Sequence, residues 1–325
     1  MRESRRRLLT FAVVVIGCLV TGSLYVTWAV ARASGPEAEK GTTARLDTGS
    51  VVFRSLDGKK GRRGRIAVVR NLASGKRAVT GVRCDRVYAK AEVAVCLSRV
   101  KAFGIAYDAI VYEADLRRRL AVRFAGIPSR VRISPDGRHG AVTSFVTGHS
   151  YAAPGQFSTQ TRIFDLESGR ILLDLEQLTV ALDGGSIDGM DRNYWGVTFA
   201  ANGRFYATVA SEGETFLIQG IVGSKRARAL IHNAECPSLS PDETRVAYKK
   251  RVGGPTTWRL YVLDLNTGRE TRLSETKTVD DQVEWLDDTH ILYGRDKEIW
   301  KVRADGTGSP RLVVRRSDSP AVIRG

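Results

Sequence analysis

The chain has 325 residues, with 51 lysines and arginines against 35 aspartates and glutamates, for a formal net charge of +16. Such an excess implies an acidic partner or an acidic surface. The four histidines, at 139, 149, 232 and 290, show no metal-ligand spacing, and no Gly-x-Ser-x-Gly nucleophile elbow is present, so neither a zinc site nor a hydrolase serine is read here.

Met1 to Arg7 carries four arginines against one glutamate, and Leu8 to Val30 then runs 23 residues without a charge. That run is long enough for a bilayer core of roughly 30 Å. Its basic flank places residues 1–7 in the cytoplasm and everything after the span outside. The expectation is an uncleaved transmembrane signal anchor over 8–30. It is longer than the roughly 7–15 residues of a signal core, and Tyr25 and Trp28 suit a membrane interface. A cleaved signal peptide is the alternative, since Ala29-Val30-Ala31 and Ala31-Arg32-Ala33 both fit the small-x-small rule. Val15 to Cys18 resembles a lipoprotein box but is followed by apolar residues, and Ser4 to Leu9 also fits a twin-arginine signal. Residues 31–50 are small, polar and mixed in charge, and read as a linker. The first forty residues hold 6 basic and 3 acidic groups, which leaves 45 against 32 on the exported part.

From Val51 onward, short apolar runs alternate with two kinds of turn. Blade one has three strands of its own, Val51–Arg54, Ile66–Arg70 and Arg77–Val82, and its innermost strand is expected from Ser319 to Ile323. Such a closure removes an open sheet edge. The first-turn signal recurs as Ser134-Pro135-Asp136-Gly137, Ala200-Ala201-Asn202-Gly203, Ser240-Pro241-Asp242-Glu243 and, degenerate, Leu286-Asp287-Asp288-Thr289, with a further copy placed at Val87 to Lys90. The second recurs at Asn71 to Gly75, Asp165 to Gly169, Asp264 to Gly268 and Ala304 to Gly308, with weaker forms at Glu113 to Asp115 and Gly220 to Ser224. Asn, Asp, Thr and Gly supply the positive φ and side-chain bonds of tight turns. Six second turns mean six blades, so the fold class is all-β, a six-bladed β-propeller over 51–325 behind an N-terminal transmembrane helix. In blade two, Cys84 and Cys96 lie equally far from Lys90 and would face each other across a hairpin. An exported disulfide and two small apolar thiols are both open readings. Cys236 reads as a buried thiol.

Turns of the SPDG and DLxTG types resemble the TolB-like family of six-bladed propellers. Gly148 to Tyr151 (GHSY), Asp191 to Phe199 (DRNYWGVTF), Glu235 to Pro241 (ECPSLSP) and Val279 to Asp287 (VDDQVEWLD) are similar to stretches of its membrane-anchored bacterial members. The resemblance covers roughly 51–324 and implies protein–protein work in cell-envelope organisation. The chain is expected to depart from it in two ways, with no separate α/β domain before the propeller and with its anchor kept.

Two inserts, Val146–Gln160 and Leu175–Tyr194, are expected to rise from one mouth of the central channel, where loops on a rigid scaffold bind ligands. That loop face is expected to gather Lys59, Lys60, Arg62, Arg63, His149, Tyr151, Asp191, Trp195, Glu235, Lys250 and Asp281 as ligand-binding residues. Asp183, Asp188 and Asp191 do not fit the twelve-residue calcium loop and read as a solvated acidic loop. Asp280 and Asp281 are neighbours that point to opposite faces, and therefore need not pair as acid and base. No catalytic residue, metal or cofactor is assigned. The expected function is a non-enzymatic, extracytoplasmic binding or scaffold module at the cell envelope, monomeric, engaging an envelope protein or an anionic cell-surface polymer. Export excludes nucleic acid as a partner. The alternative is a glycan- or peptide-acting hydrolase or lyase at the channel mouth, working through residues such as His149, Asp191, Glu235 and Asp281.

Overall fold

The computed structural model describes residues 20–21, 44–58, 61–73, 75–100, 105–146, 158–254 and 256–324. Met1–Lys40 and Gly41–Gly325 are separate compact units, and every strand among the described residues belongs to the second. The expected anchor falls outside the described residues apart from 20–21. Among the described residues, no helix is long and apolar enough to cross a membrane.

Among the described residues six sheets follow one another along the chain, each built on four antiparallel strands. Blade one contains β1 (Val51–Ser55), β2 (Arg65–Val69) and β3 (Ala78–Arg83), and blade two β4 (Arg86–Lys90), β5 (Val93–Arg99), β6 (Ala106–Tyr112) and β7 (Arg118–Ala125). Blade three is β8 (Ile127–Ile133), β9 (His139–Val146), β10 (Ser158–Asp165) and β11 (Ile171–Asp174). A hairpin of β12 (Thr179–Leu182) and β13 (Gly185–Ile187) precedes blade four, which is β14 (Asn193–Phe199), β15 (Arg204–Ser211), β16 (Glu214–Ile221) and β17 (Arg226–His232). Blade five is β18 (Glu235–Leu239), β19 (Arg245–Arg251), β20 (Trp258–Asp264) and β21 (Glu270–Arg272). Blade six is β22 (Glu284–Trp285), β23 (His290–Arg295), β24 (Glu298–Arg303) and β25 (Arg311–Arg315). The last strand, β26 (Ser317–Val322), returns to blade one.

Middle strands are buried on both faces because a neighbouring blade covers each side. Val93 to Leu97 of β5 is buried throughout, whereas the outer strand β7 buries only Phe124 and leaves the rest half-buried or exposed. The ring closes as expected: β26 pairs with β1 in the register Val51↔Val322, Val52↔Ala321 and Arg54↔Asp318. Ile323 N donates to Ser50 O at 3.0 Å, and Arg54 Nε donates to Asp318 Oδ1 at 2.7 Å across the seam.

Four expectations need correction. The fold begins before Val51, because Leu46 in the supposed linker is 0% exposed within the apolar core, and its N–H donates to Ala114 O at 2.8 Å. The blade-two turn is Ala91-Glu92, both at positive φ (48° and 61°), and Val87 to Lys90 is strand. Val87, not Cys84, therefore opposes Cys96. Cys84 precedes the strand, and its Cα lies 5.4 Å from that of Cys96, so the two sulfurs join in a disulfide all the same. Finally, the Leu175–Tyr194 insert is not only a mouth loop. Its β12 pairs in parallel with β17, Thr179↔Arg226 to Ala181↔Arg228, and with β13 widens blade four to six strands.

Candidate functional site

The innermost strands of blades one, three, four and five share a device. Each slips register near its loop-face end, in β26 between Asp318 and Ala321 opposite Val52/Arg54, and at Pro128/Arg130, Trp195/Thr198 and Glu235/Ser238. Such β-bulges turn side chains out of the ladder and are frequent beside sites. Gly196 at φ +68° lies where any Cβ would come within 2.7 Å of Cys236 Cα, and Cys236 itself has φ 53°. The two bulges nest, which frees Trp195 and Glu235 to face the channel mouth.

A cavity of about 550 Å³ opens there. Its walls are Phe145 (end of β9), Trp195 (β14) and Trp258 (start of β20), and its polar lining includes Arg130, Glu235, Lys249 and Asp280. These residues come from blades three, four and five and, for Asp280, from the loop that leads into blade six. Glu235 is 3% exposed and fully partnered: Oε1 accepts from Arg251 Nη2 at 3.0 Å and Trp258 Nε1 at 2.9 Å. Lys249, 4% exposed, lies 3.5 Å from Glu235 Oε2 and donates to Asp280 Oδ1. Its Nζ also stacks over the Trp258 ring at 4.3 Å. Burial alone lowers a lysine pKa, but the Cys236 sulfur, Asp280 and Glu235 outweigh it and the net shift is upward. Burial likewise pushes Asp280 up, and the Lys249 charge overcomes it and holds the carboxyl down. The floor is a neutralised charge network under an aromatic vault, suited to holding a ligand in place.

Two neighbouring spaces complete the mouth. A narrow cleft of about 20 Å³ runs into the central channel and is lined by Arg86, Arg130, Arg132, Asp281 and Gln282 among others. A cavity of about 250 Å³ lies beside blade three, lined by Glu176, Met190, Asp191 and Arg192 among others. Burial, with the nearby Asp174 charge, pushes the Glu176 carboxyl up to about 8.

Of the residues expected at the loop face, Trp195 and Glu235 meet in the main cavity. Asp281 faces the narrow cleft, where its oxygens accept from Gln282 N (2.9 Å) and Gly294 N (3.1 Å). As expected, Asp280 and Asp281 part, one to each space. Asp191 is a brace: it accepts from Ser211 Oγ at 3.0 Å and Glu212 N at 2.8 Å. Lys250 points away, donating to Glu270 Oε2 at 2.6 Å and lying over Tyr261, because successive strand residues alternate sides. Arg62 and Arg63 are exposed and line none of these spaces. Lys59, Lys60, His149 and Tyr151 lie outside the described residues. Arg130 and Trp258 were not foreseen. Arg130 carried a readable signal, because Ser129-Arg130-Val131-Arg132 places two arginines on one side of an innermost strand.

No family model and no curated protein matches the chain. Among solved structures it is similar to TolB from Acinetobacter baumannii, with a TM-score of 0.62 and 14% identity over 85% of this chain and 67% of that one. It is also similar to a puromycin-hydrolysing peptidase from Mycobacterium tuberculosis, with a TM-score of 0.52 and 17% identity over 82% of this chain. The match spans 43% of the peptidase's length. At these identities the likeness is one of fold: the chain is a six-bladed β-propeller similar to that of TolB.

Proposed function

We propose that this chain is a binding propeller of the cell envelope, held at the outer side of the cytoplasmic membrane by residues 8–30. It engages its partner at the mouth built by blades three to six. The observation that carries this reading is the 550 Å³ cavity, in which three aromatic walls stand over a charge network with its partners already in place. Concave, mostly apolar spaces with a few fixed polar groups are where ligands bind. The excess of basic residues favours an anionic envelope partner.

The test compares capture of solubilised envelope components by the full-length chain and by a Phe145→Ala/Trp195→Ala variant. Both side chains are only partly buried, so the fold survives, as unchanged melting would verify. The variant is expected to lose the captured components. Equal capture by both proteins overturns the reading.

One observation favours an enzyme instead: a carboxyl that stays protonated near neutral pH, Glu176, faces a cavity. A protonated carboxyl is the general acid of glycoside cleavage. Turnover of envelope glycans by the parent, lost in Glu176→Gln, would support that second reading.

A further inference from the structure

The narrow cleft holds more positive charge than its surroundings balance. Three guanidinium groups line it, Arg86 from β4 with Arg130 and Arg132 from β8, against the single carboxylate of Asp281. The carboxylate oxygens already accept backbone amides of Gln282 and Gly294. The Arg86 side chain makes no hydrogen bond or ion pair with any described residue. Among the described residues Arg130 donates to the Ser129 carbonyl, at 3.3 Å, and forms no ion pair; it lies near the Cys236 sulfur, Asp281 and Asp280, and its Nε is unpartnered. Arg132 is 8% exposed and reaches backbone carbonyls and the Tyr88 ring (4.5 Å); among the described residues it has no ion pair, and its Nε is unpartnered too. Three guanidinium groups beside one lining carboxylate in a partly desolvated space leave positive charge that an anionic ligand would balance. Burial, and then the facing Arg130 charge, also lower the Arg86 pKa, which marks the same mutual repulsion.

The cleft and the main cavity share Ser129 and Arg130, so they are adjoining parts of one site. Their sizes differ sharply, about 20 Å³ against about 550 Å³. A space of roughly 10–15 Å³ admits one water-sized group, so the cleft takes a small head, and the body stays under the aromatic vault. The two spaces together suit a ligand with a small, flat anionic head and an apolar body, as an organic carboxylate has.

We propose that this site binds an organic carboxylate, its head between Arg86 and Arg130 and its flat apolar body against Trp195, Trp258 and Phe145. Planar guanidinium groups match a carboxylate through paired, charge-assisted hydrogen bonds. This rests on the binding-propeller reading and adds the chemical class of the ligand.

The experiment measures binding of 3-phenylpropionate, its neutral amide and inorganic phosphate to the full-length chain by titration calorimetry. The acid is expected to bind at least tenfold more tightly than the amide, and Arg86→Gln and Arg130→Gln are each expected to weaken the acid on the order of tenfold. The acid–amide comparison uses the parent protein and needs no variant to fold. Equal affinity for acid and amide overturns the proposal, as does an acid affinity unchanged in both variants. Phosphate binding tighter than the acid, with the same Arg86 dependence, also overturns it, by making the site one for a free oxyanion. If acid and amide bind alike while Phe145→Ala/Trp195→Ala still abolishes envelope capture, the carboxylate inference alone fails.

Discussion

Glu176 offers the sharpest quantitative test. It follows Leu175 in the turn after β11, where Asp174 caps the turn and is tied to Arg162 Nε at 2.9 Å. Its Oε1 has no hydrogen-bond partner among the described residues. Burial, then Asp174, raise its pKa from 4.5 to about 8. Below pH 4.5 the carboxyl is protonated whether the chain is folded or not. Between 4.5 and 8 only the unfolded chain gives up the proton, so stability falls as pH rises; above 8 the slope disappears. Fully expressed, such a shift corresponds to about 5 kcal/mol. Glu176 is only half-buried, and solvent screening reduces the realised figure to about 2 kcal/mol. For a domain of this size that is roughly 4–8 °C in melting temperature. Other groups titrate in the same range, so the measurement is the difference between the parent and Glu176→Gln in scanning calorimetry at pH 5, 6, 7 and 8. The parent is expected to lose about that much relative to the variant between pH 5 and pH 8. Melting curves that stay parallel within a degree would refute the reasoning.

Deleting residues 317–325 removes β26 and with it the buried Ala321, Val322 and Ile323. At about 1.5–3 kcal/mol for each larger side chain, the truncated chain is expected to melt well below the parent or to aggregate; melting within two degrees of it would disprove the closure. Replacing Cys84 and Cys96 by serine opens a loop with a sequence separation of 12 and is expected to cost about 3 kcal/mol in urea unfolding. An unchanged midpoint refutes a stabilising role for the bond. N-terminal sequencing of the membrane-fraction protein is expected to begin at the original terminus, and a start at Arg32 or Ser34 would establish cleavage of the signal.

The architecture was legible because turns are local. Ser134-Pro135-Asp136-Gly137 and Asp264 to Gly268 carry their own signals: Gly268 sits at φ +72° and Thr267 N donates to Asp264 Oδ1 at 2.8 Å. Even the closure strand could be read, since Ser319 to Ile323 repeats the apolar pattern of an innermost strand. What escaped depends on distant partners. Ala91 and Glu92 have no turn preference, and the pairing Lys90↔Val93 forces them into the left-handed region. Turn signals of that kind do not announce β12 and β13 either, where Thr179 to Ile187 looks like a glycine-bearing loop until β17 offers an edge to pair with.

The site was legible only where a residue stood near a bulge at the mouth, as Trp195 and Glu235 do. Lys249 and Lys250 are alike in sequence, yet the alternation of β19 sends one under the vault and the other to Glu270. Arg86 and Arg130 lie in different blades and converge through the curvature of the ring, a relation no periodicity along the chain encodes. The channel is also where the usual reading of charge inverts. On a sheet with one wet face, an arginine every second residue marks the solvent side; on an innermost strand that same side faces the axis, where six blades crowd their charges together. Burying Glu235 with Lys249 and Arg251 therefore adds little net stability, because desolvation offsets most of the attraction. What such a network does provide is a fixed position for Trp258, whose indole N–H it holds at 2.9 Å. The aromatic wall is set before any ligand arrives, and preorganisation of that kind is what lets a cavity bind without first paying to order its own side chains.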